Sequence, residues 1–187
     1  MAGELQINGE YAGPWKLVAS QETNGATSLS AYTTTQYRRL LFRMHTMGST
    51  ATSILYPLFY FLDDTGARRT DTYTHRAHIG YGTGYYSNQT TNTAWSPGWM
   101  SSNLRYNLNG RPAIFEMMYF NIGGEATDTA YLANWAYLSS GGSYISGFGT
   151  GHQTSLNPVY GIEMTTSNDT YTIYDLMIEV YGDTTLT

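Results

Sequence analysis

Apolar and polar residues alternate over short runs along most of this chain, the pattern of β-strands with one face turned inward. The last run is the clearest: Tyr174, Leu176, Ile178 and Val180 fall on one side, Asp175 and Glu179 on the other, and Gly182 ends it. Runs rich in β-branched and aromatic residues recur at 15–20, 27–32, 36–46, 53–62, 67–74, 103–107, 113–121, 130–139, 143–148, 158–166 and 170–181. Turn residues separate several of them, as in Asp63-Asp64-Thr65-Gly66, Asn109-Gly110 and Ser167-Asn168-Asp169. One stretch fits two templates. Over 36–47, Tyr37, Leu40, Leu41, Met44 and Met47 form a helical stripe, while Leu40, Phe42 and Met44 also alternate with Arg39, Arg43 and His45. The preceding Thr33-Thr34-Thr35 is poor helix material, which decides for strand. So many short runs with short connectors predict an all-β fold, a two-sheet antiparallel β-sandwich of jelly-roll-like form.

The organisation that follows is a single sandwich domain over 13–182, with an N-terminal arm at 1–12 and a C-terminal tail at 183–187. No linker, charge block or internal repeat divides it. Residues 80–100 are the exception to the strand pattern: they read as one long loop, and such a loop inside a compact domain is usually functional. The longest apolar run, 54–62, contains Pro57 and is far shorter than the ~20 residues a membrane-crossing helix needs. The first residues carry no basic stretch followed by an apolar one, so no secretion signal is expected.

Composition changes the picture in one respect. Charged residues are only 12% of the chain, about half the share of an ordinary soluble domain at roughly 25%. Lys16 is the single lysine among 9 basic residues, and the net charge is −5. A surface so poor in charge is weakly defended against self-association, which points to a permanent assembly. The same numbers argue against a nucleic-acid partner, which needs basic residues to displace counterions. There is no cysteine, so disulfides and thiolate metal sites are excluded as well.

The chain also resembles tailed-bacteriophage virion proteins of the β-sandwich type. The resemblance is carried by Gly13-Pro14-Trp15-Lys16-Leu17-Val18, a Thr/Ser-rich strand, Tyr37-Arg38-Arg39-Leu40-Leu41-Phe42, the hairpin at 63–66, and the closing run from Tyr171 to Gly182. It implies a head-decoration (cement) protein, or a tail-fibre or appendage subunit, located in the virion. Its implied partners are copies of itself, with a trimer expected, and the major capsid or tail proteins. The absence of a coiled-coil or repetitive shaft turns the expectation toward decoration. The pattern names no functional residue.

Catalytic signatures are thin. Asp64-Thr65-Gly66 resembles the loop that supplies one carboxylate to aspartic proteases, but a dyad needs two, and no second Asp-Thr-Gly or Asp-Ser-Gly exists. A hairpin turn is the simpler reading of the same residues. His75 and His78 sit three apart, with Asp71 upstream, in a run that reads as strand, where that spacing points to opposite faces. His152 lies among glycines, where a loop is expected, with no visible acid or nucleophile partner. Glu116, Glu163, Asp175 and Glu179 are isolated in sequence and read as solvent-facing strand positions. The chain is therefore expected to be no enzyme, with neither cofactor nor metal.

One binding signal stands out. Tyr81, Tyr85, Tyr86, Trp95 and Trp99 are interleaved with Gly, Ser, Asn and Thr, a mixture typical of recognition loops. Contact with a neighbouring subunit is the first expectation for them, and stacking on a host glycan is the alternative.

Overall fold

The computed structural model describes residues 14–46, 48–49, 57–69, 73–81, 84–92, 113–121, 129–138, 144–153, 157–166 and 172–184. Among them every regular element is a strand. In chain order these are β1 (Trp15–Thr23), β2 (Ser28–Tyr32), β3 (Arg39–Thr46), β4 (Gly48–Ser49), β5 (Pro57–Leu62), β6 (Tyr73–Tyr81) and β7 (Gly84–Asn92). There follow β8 (Ala113–Phe120), β9 (Thr129–Leu138), β10 (Tyr144–Gln153), β11 (Gly161–Thr166), β12 (Ile173–Tyr174) and β13 (Leu176–Asp183).

The strands form a two-sheet sandwich. The large sheet has 8 strands in the order β1-β13-β3-β8-β9-β10-β6-β7, the small one has the order β2-β11-β5, and β12 and β4 make a short ribbon. Every ladder is antiparallel. Chain ends are wound together: β1 pairs with β13 in one sheet, and β2 pairs with β11 in the other. Beyond β8 the large sheet continues with four further strands.

Alternation explains which side is buried. Leu40, Phe42 and Met44 of β3, Phe115, Met117 and Tyr119 of β8, and Ile178 and Val180 of β13 all face the interior. They meet Ala31, Phe59, Phe61, Ile162 and Met164 of the small sheet. Aromatic rings stitch the layers: Phe59 meets Phe115 at 5.0 Å, while Phe61 meets Tyr119 at 4.8 Å and Tyr131 at 5.6 Å. Their tilted and edge-on geometries are those that aromatic quadrupoles favour.

Within the ambiguous stretch Arg39–Thr46 is a strand, with Leu40, Phe42 and Met44 buried together as alternation requires. Four expectations need correction. The run at 67–74 does not form one strand: a turn with a single bridge at Arg68 precedes β6, which begins at Tyr73. The expected loop at 80–100 is strand for much of its length, because β6 runs to Tyr81 and β7 pairs with it from Gly84 to Asn92. The run expected to stop at Phe148 continues through Gln153. The final run is broken at Asp175, whose φ of 47° lies in the left-handed region that Asp tolerates better than most residues. That residue shifts the alternation, so Ile173 and Leu176 are both buried while Tyr174 is exposed. β13 also continues past Gly182 to Asp183, which is fully buried and accepts a hydrogen bond from Arg39 Nε at 2.6 Å.

Candidate binding face

The large sheet has an outer face as well as an inner one, and in-register ladders place its side chains in rows. One row runs Leu17, Tyr181, Leu41, Met118 and Leu132 across β1, β13, β3, β8 and β9. At ~4.8 Å per strand it spans roughly 19 Å; Tyr181 and Leu41 in its middle are buried, while Leu17 and Leu132 at its ends are exposed. The neighbouring row holds Glu179, Arg43, Glu116 and Asn134. There Arg43 Nε donates to Glu116 Oε2 at 2.9 Å, with the guanidinium 5.3 Å from the Tyr181 ring centroid. Burial disfavours the charged form of Arg43, but its contacts with Glu116 and Tyr181 outweigh that and hold its pKa above the ordinary value. A third row carries Met177, His45, Ile114 and Ala136. Ile114 is 60% exposed, Leu132 49% and Leu17 47%. Side chains of this type are normally scattered singly over a surface, and here they are gathered on one face.

The same face changes character beyond β9. Phe148, Thr150 and His152 of β10 stand directly opposite His78, Arg76 and Thr74 of β6. Thr74, Arg76, Thr150, Gly151 and His152 line a shallow depression of about 250 Å³. At its end the Phe148 ring stacks on His78, with centroids 4.8 Å apart and planes inclined by 19°. The inner side of β10 explains why these residues were overlooked. Gly147, Gly149 and Gly151 lie beneath Trp135 and Tyr131 of β9, and a Cβ on Gly151 would sit 2.2 Å from the Tyr131 ring. Glycine is read from sequence as a strand breaker, so His152 was expected in a loop. The signal available was the period of two in Gly147-Phe148-Gly149-Thr150-Gly151-His152, which is strand alternation with one face left bare.

The residues expected to bind are distributed differently. Tyr81 ends β6, opposite Gly84, and Tyr85 and Tyr86 lie on β7 opposite Gly80 and Ile79. Trp95 and Trp99 lie outside the described residues. His75 and His78 belong to one strand, as expected. Asp64 occupies the exposed tip of the turn between β5 and Arg68. In that turn Gly66 N–H donates to the Asp63 carbonyl, Asp63 N–H donates to the Ala67 carbonyl, and Gly66 takes a φ of 81°. This is a three-residue hairpin loop with glycine in the left-handed position. Asp63 Oδ1 accepts from Thr65 Oγ1 at 2.6 Å and from the Thr65 and Ala67 amides at 2.9 Å each. The Thr65 hydroxyl above all, then the Ala67 amide, lowers the pKa of Asp63 below its usual value.

A depression of about 390 Å³ beside this turn is bounded by Asp63, Asp64, Arg68 and Arg69. Both guanidinium groups are committed to the fold. Arg68 grips Glu163 through Nε and Nη2 at 2.7 Å each, and Arg69 Nη1 donates to the Asn157 and Pro158 carbonyls. Glu163 therefore corrects one expectation: it is buried under Arg68, not solvent-facing, because a paired carboxylate can leave water where a lone one cannot. Among the described residues, no group of three His, Asp or Glu side chains is placed to hold a metal ion. No protein-family model matches the chain, and no curated protein matches it.

Proposed function

We propose that this chain is a non-catalytic structural subunit that works by assembling with copies of itself, and that the assembly belongs to a phage virion as a capsid decoration protein. The observation that carries the first part is the exposure of Leu17, Ile114 and Leu132 on one outer face, set in a chain with little charge. A second copy is the occupant that fits. The Arg43–Glu116 pair with Glu179 beside it puts both signs of charge next to the apolar row, and a two-fold or three-fold neighbour can match such a pattern with its own. Burying Leu17, Ile114 and Leu132 against a second copy removes exposed apolar area from water. The virion location is supported by the sequence resemblance, which extends over 13–182.

Native mass by light scattering tests the assembly. A closed oligomer, with a trimer as the expected size, supports the reading, and Leu17→Asp or Ile114→Asp is expected to shift the mass toward monomer. Substitutions at such exposed positions cost the fold itself no more than about 0.5 kcal/mol. A wild-type chain that is monomeric at every concentration would remove the assembly. Co-sedimentation with emptied phage heads tests the finer reading, and a chain that stays in solution beside them counts against decoration.

A further inference from the structure

The outer face of β10 and β6 differs from the apolar row in charge as well as in polarity. None of the four strands β6, β7, β9 and β10 contains an Asp or Glu, although the whole chain has 14 of them and a net charge of −5. The same four strands carry Arg76, His75, His78 and His152. Arg76, His78 and His152 share the outer face with two hydroxyls, Thr74 and Thr150, and with the ring of Phe148. From Phe148 to His152 is ~13 Å along the strand, and β6 lies ~4.8 Å to the side, a footprint of one to two sugar rings.

We propose that this patch is a binding site for an acidic saccharide, a pyranose carrying a carboxylate. Each part has a chemical role. Phe148 is 46% exposed and is held in place by His78, so it offers a fixed apolar platform to the face of a sugar ring. Arg76 is exposed beside it and presents a planar fork of donors that matches a carboxylate. A guanidinium has five N–H donors, so an existing contact leaves others to offer. Thr74, Thr150 and His152 supply short donors and acceptors around the depression for sugar hydroxyls. A neutral sugar leaves the Arg76 guanidinium unused, and a bare inorganic anion leaves the platform unused. The site adjoins the self-association surface, since Thr150 stands opposite Leu132, but shares no residue with it.

The test is calorimetric titration of the purified chain with sialyllactose, lactose and inorganic phosphate as separate probes. Sialyllactose is expected to bind, and lactose and phosphate to bind at least tenfold more weakly. Arg76→Gln and Phe148→Ala are each expected to weaken the sialyllactose complex by roughly tenfold, the scale of one charge-assisted contact or one stacked ring. Both variants should keep the wild-type thermal midpoint, which separates lost binding from lost fold. Lactose binding as tightly as sialyllactose overturns the acidic specificity. Phosphate binding equally, with Phe148→Ala unaffected, reduces the patch to an anion site and overturns the saccharide. No heat from sialyllactose or from a glucuronate disaccharide up to about 10 mM, beyond the weakest useful affinity, overturns the proposal outright. The variant Ile114→Asp should bind sialyllactose normally whatever its oligomeric state, so failure of the assembly reading and failure of this one are told apart.

Discussion

The two halves of the large sheet share one continuous ladder of hydrogen bonds but fill their inner sides differently. In the half made of β1, β13, β3 and β8, aliphatic, Met and aromatic side chains reach across to the small sheet. In the half made of β9, β10, β6 and β7, the inner side of β10 is a lane of glycines, and the rings of Trp135 and Tyr131 lie across it from the neighbouring strand. Charge divides the same way. The first half holds the Arg39–Asp183 and Arg43–Glu116 pairs, while the strands of the second carry Arg76 and three histidines and no Asp or Glu. A sheet therefore does not dictate one mode of packing. Side-chain size decides locally whether the interior is filled from the opposite layer or from the adjacent strand.

Phe61 tests whether the halves are held by one core, since it touches Phe42 of β3, Tyr119 of β8 and Tyr131 of β9. Phe61→Ala is expected to cost about 3–5 kcal/mol, the usual cost of emptying a buried aromatic site. Denaturant unfolding followed separately by Trp fluorescence and far-UV circular dichroism should show both probes moving together. Separate transitions would mean that the two halves unfold as independent units.

A smaller effect sharpens the contrast at the glycine lane. Gly151→Ala should destabilise by about 1–3 kcal/mol, because its Cβ meets the Tyr131 ring inside a packed interior. In a Tyr131→Leu background the same change should cost much less, since the clashing ring is gone. The coupling in that double-mutant cycle is the measurement, and additive costs would show that the ring does not set the need for glycine.

The smallest effect concerns the carboxylates, none of which belongs to strands β6, β7, β9 or β10. Asp63 has its folded-state pKa lowered by the Thr65 hydroxyl and the Ala67 amide. Its contribution to the turn is therefore present above the unfolded pKa and lost as pH falls through the lower folded value. Acid titration followed by amide NMR should move the Thr65 and Ala67 signals with a midpoint below the ordinary aspartate range. A midpoint at or above that range would contradict the hydrogen bonds seen in the turn.

Much of this arrangement is legible in the residues themselves. Alternation in β3, β8 and β13 identifies Phe42, Phe115 and Ile178 as core, because a period of two needs no partner to be recognised. The hairpin at 63–66 is legible for a similar reason, since Asp and Gly supply the hydrogen bonds and the backbone angle within four residues. Composition alone shows a surface short of charge. Other features needed the tertiary structure. That Glu163 is buried follows from Arg68, 95 positions away in the chain, reaching over it. That β10 is a strand at all depends on rings from β9 that replace its missing side chains. Strand order decides which residues share a row, so neither the apolar line from Leu17 to Leu132 nor the patch around Phe148 and Arg76 exists in the sequence. Local periodicity is a property of neighbours along the chain, whereas a surface is made by residues that only folding brings side by side.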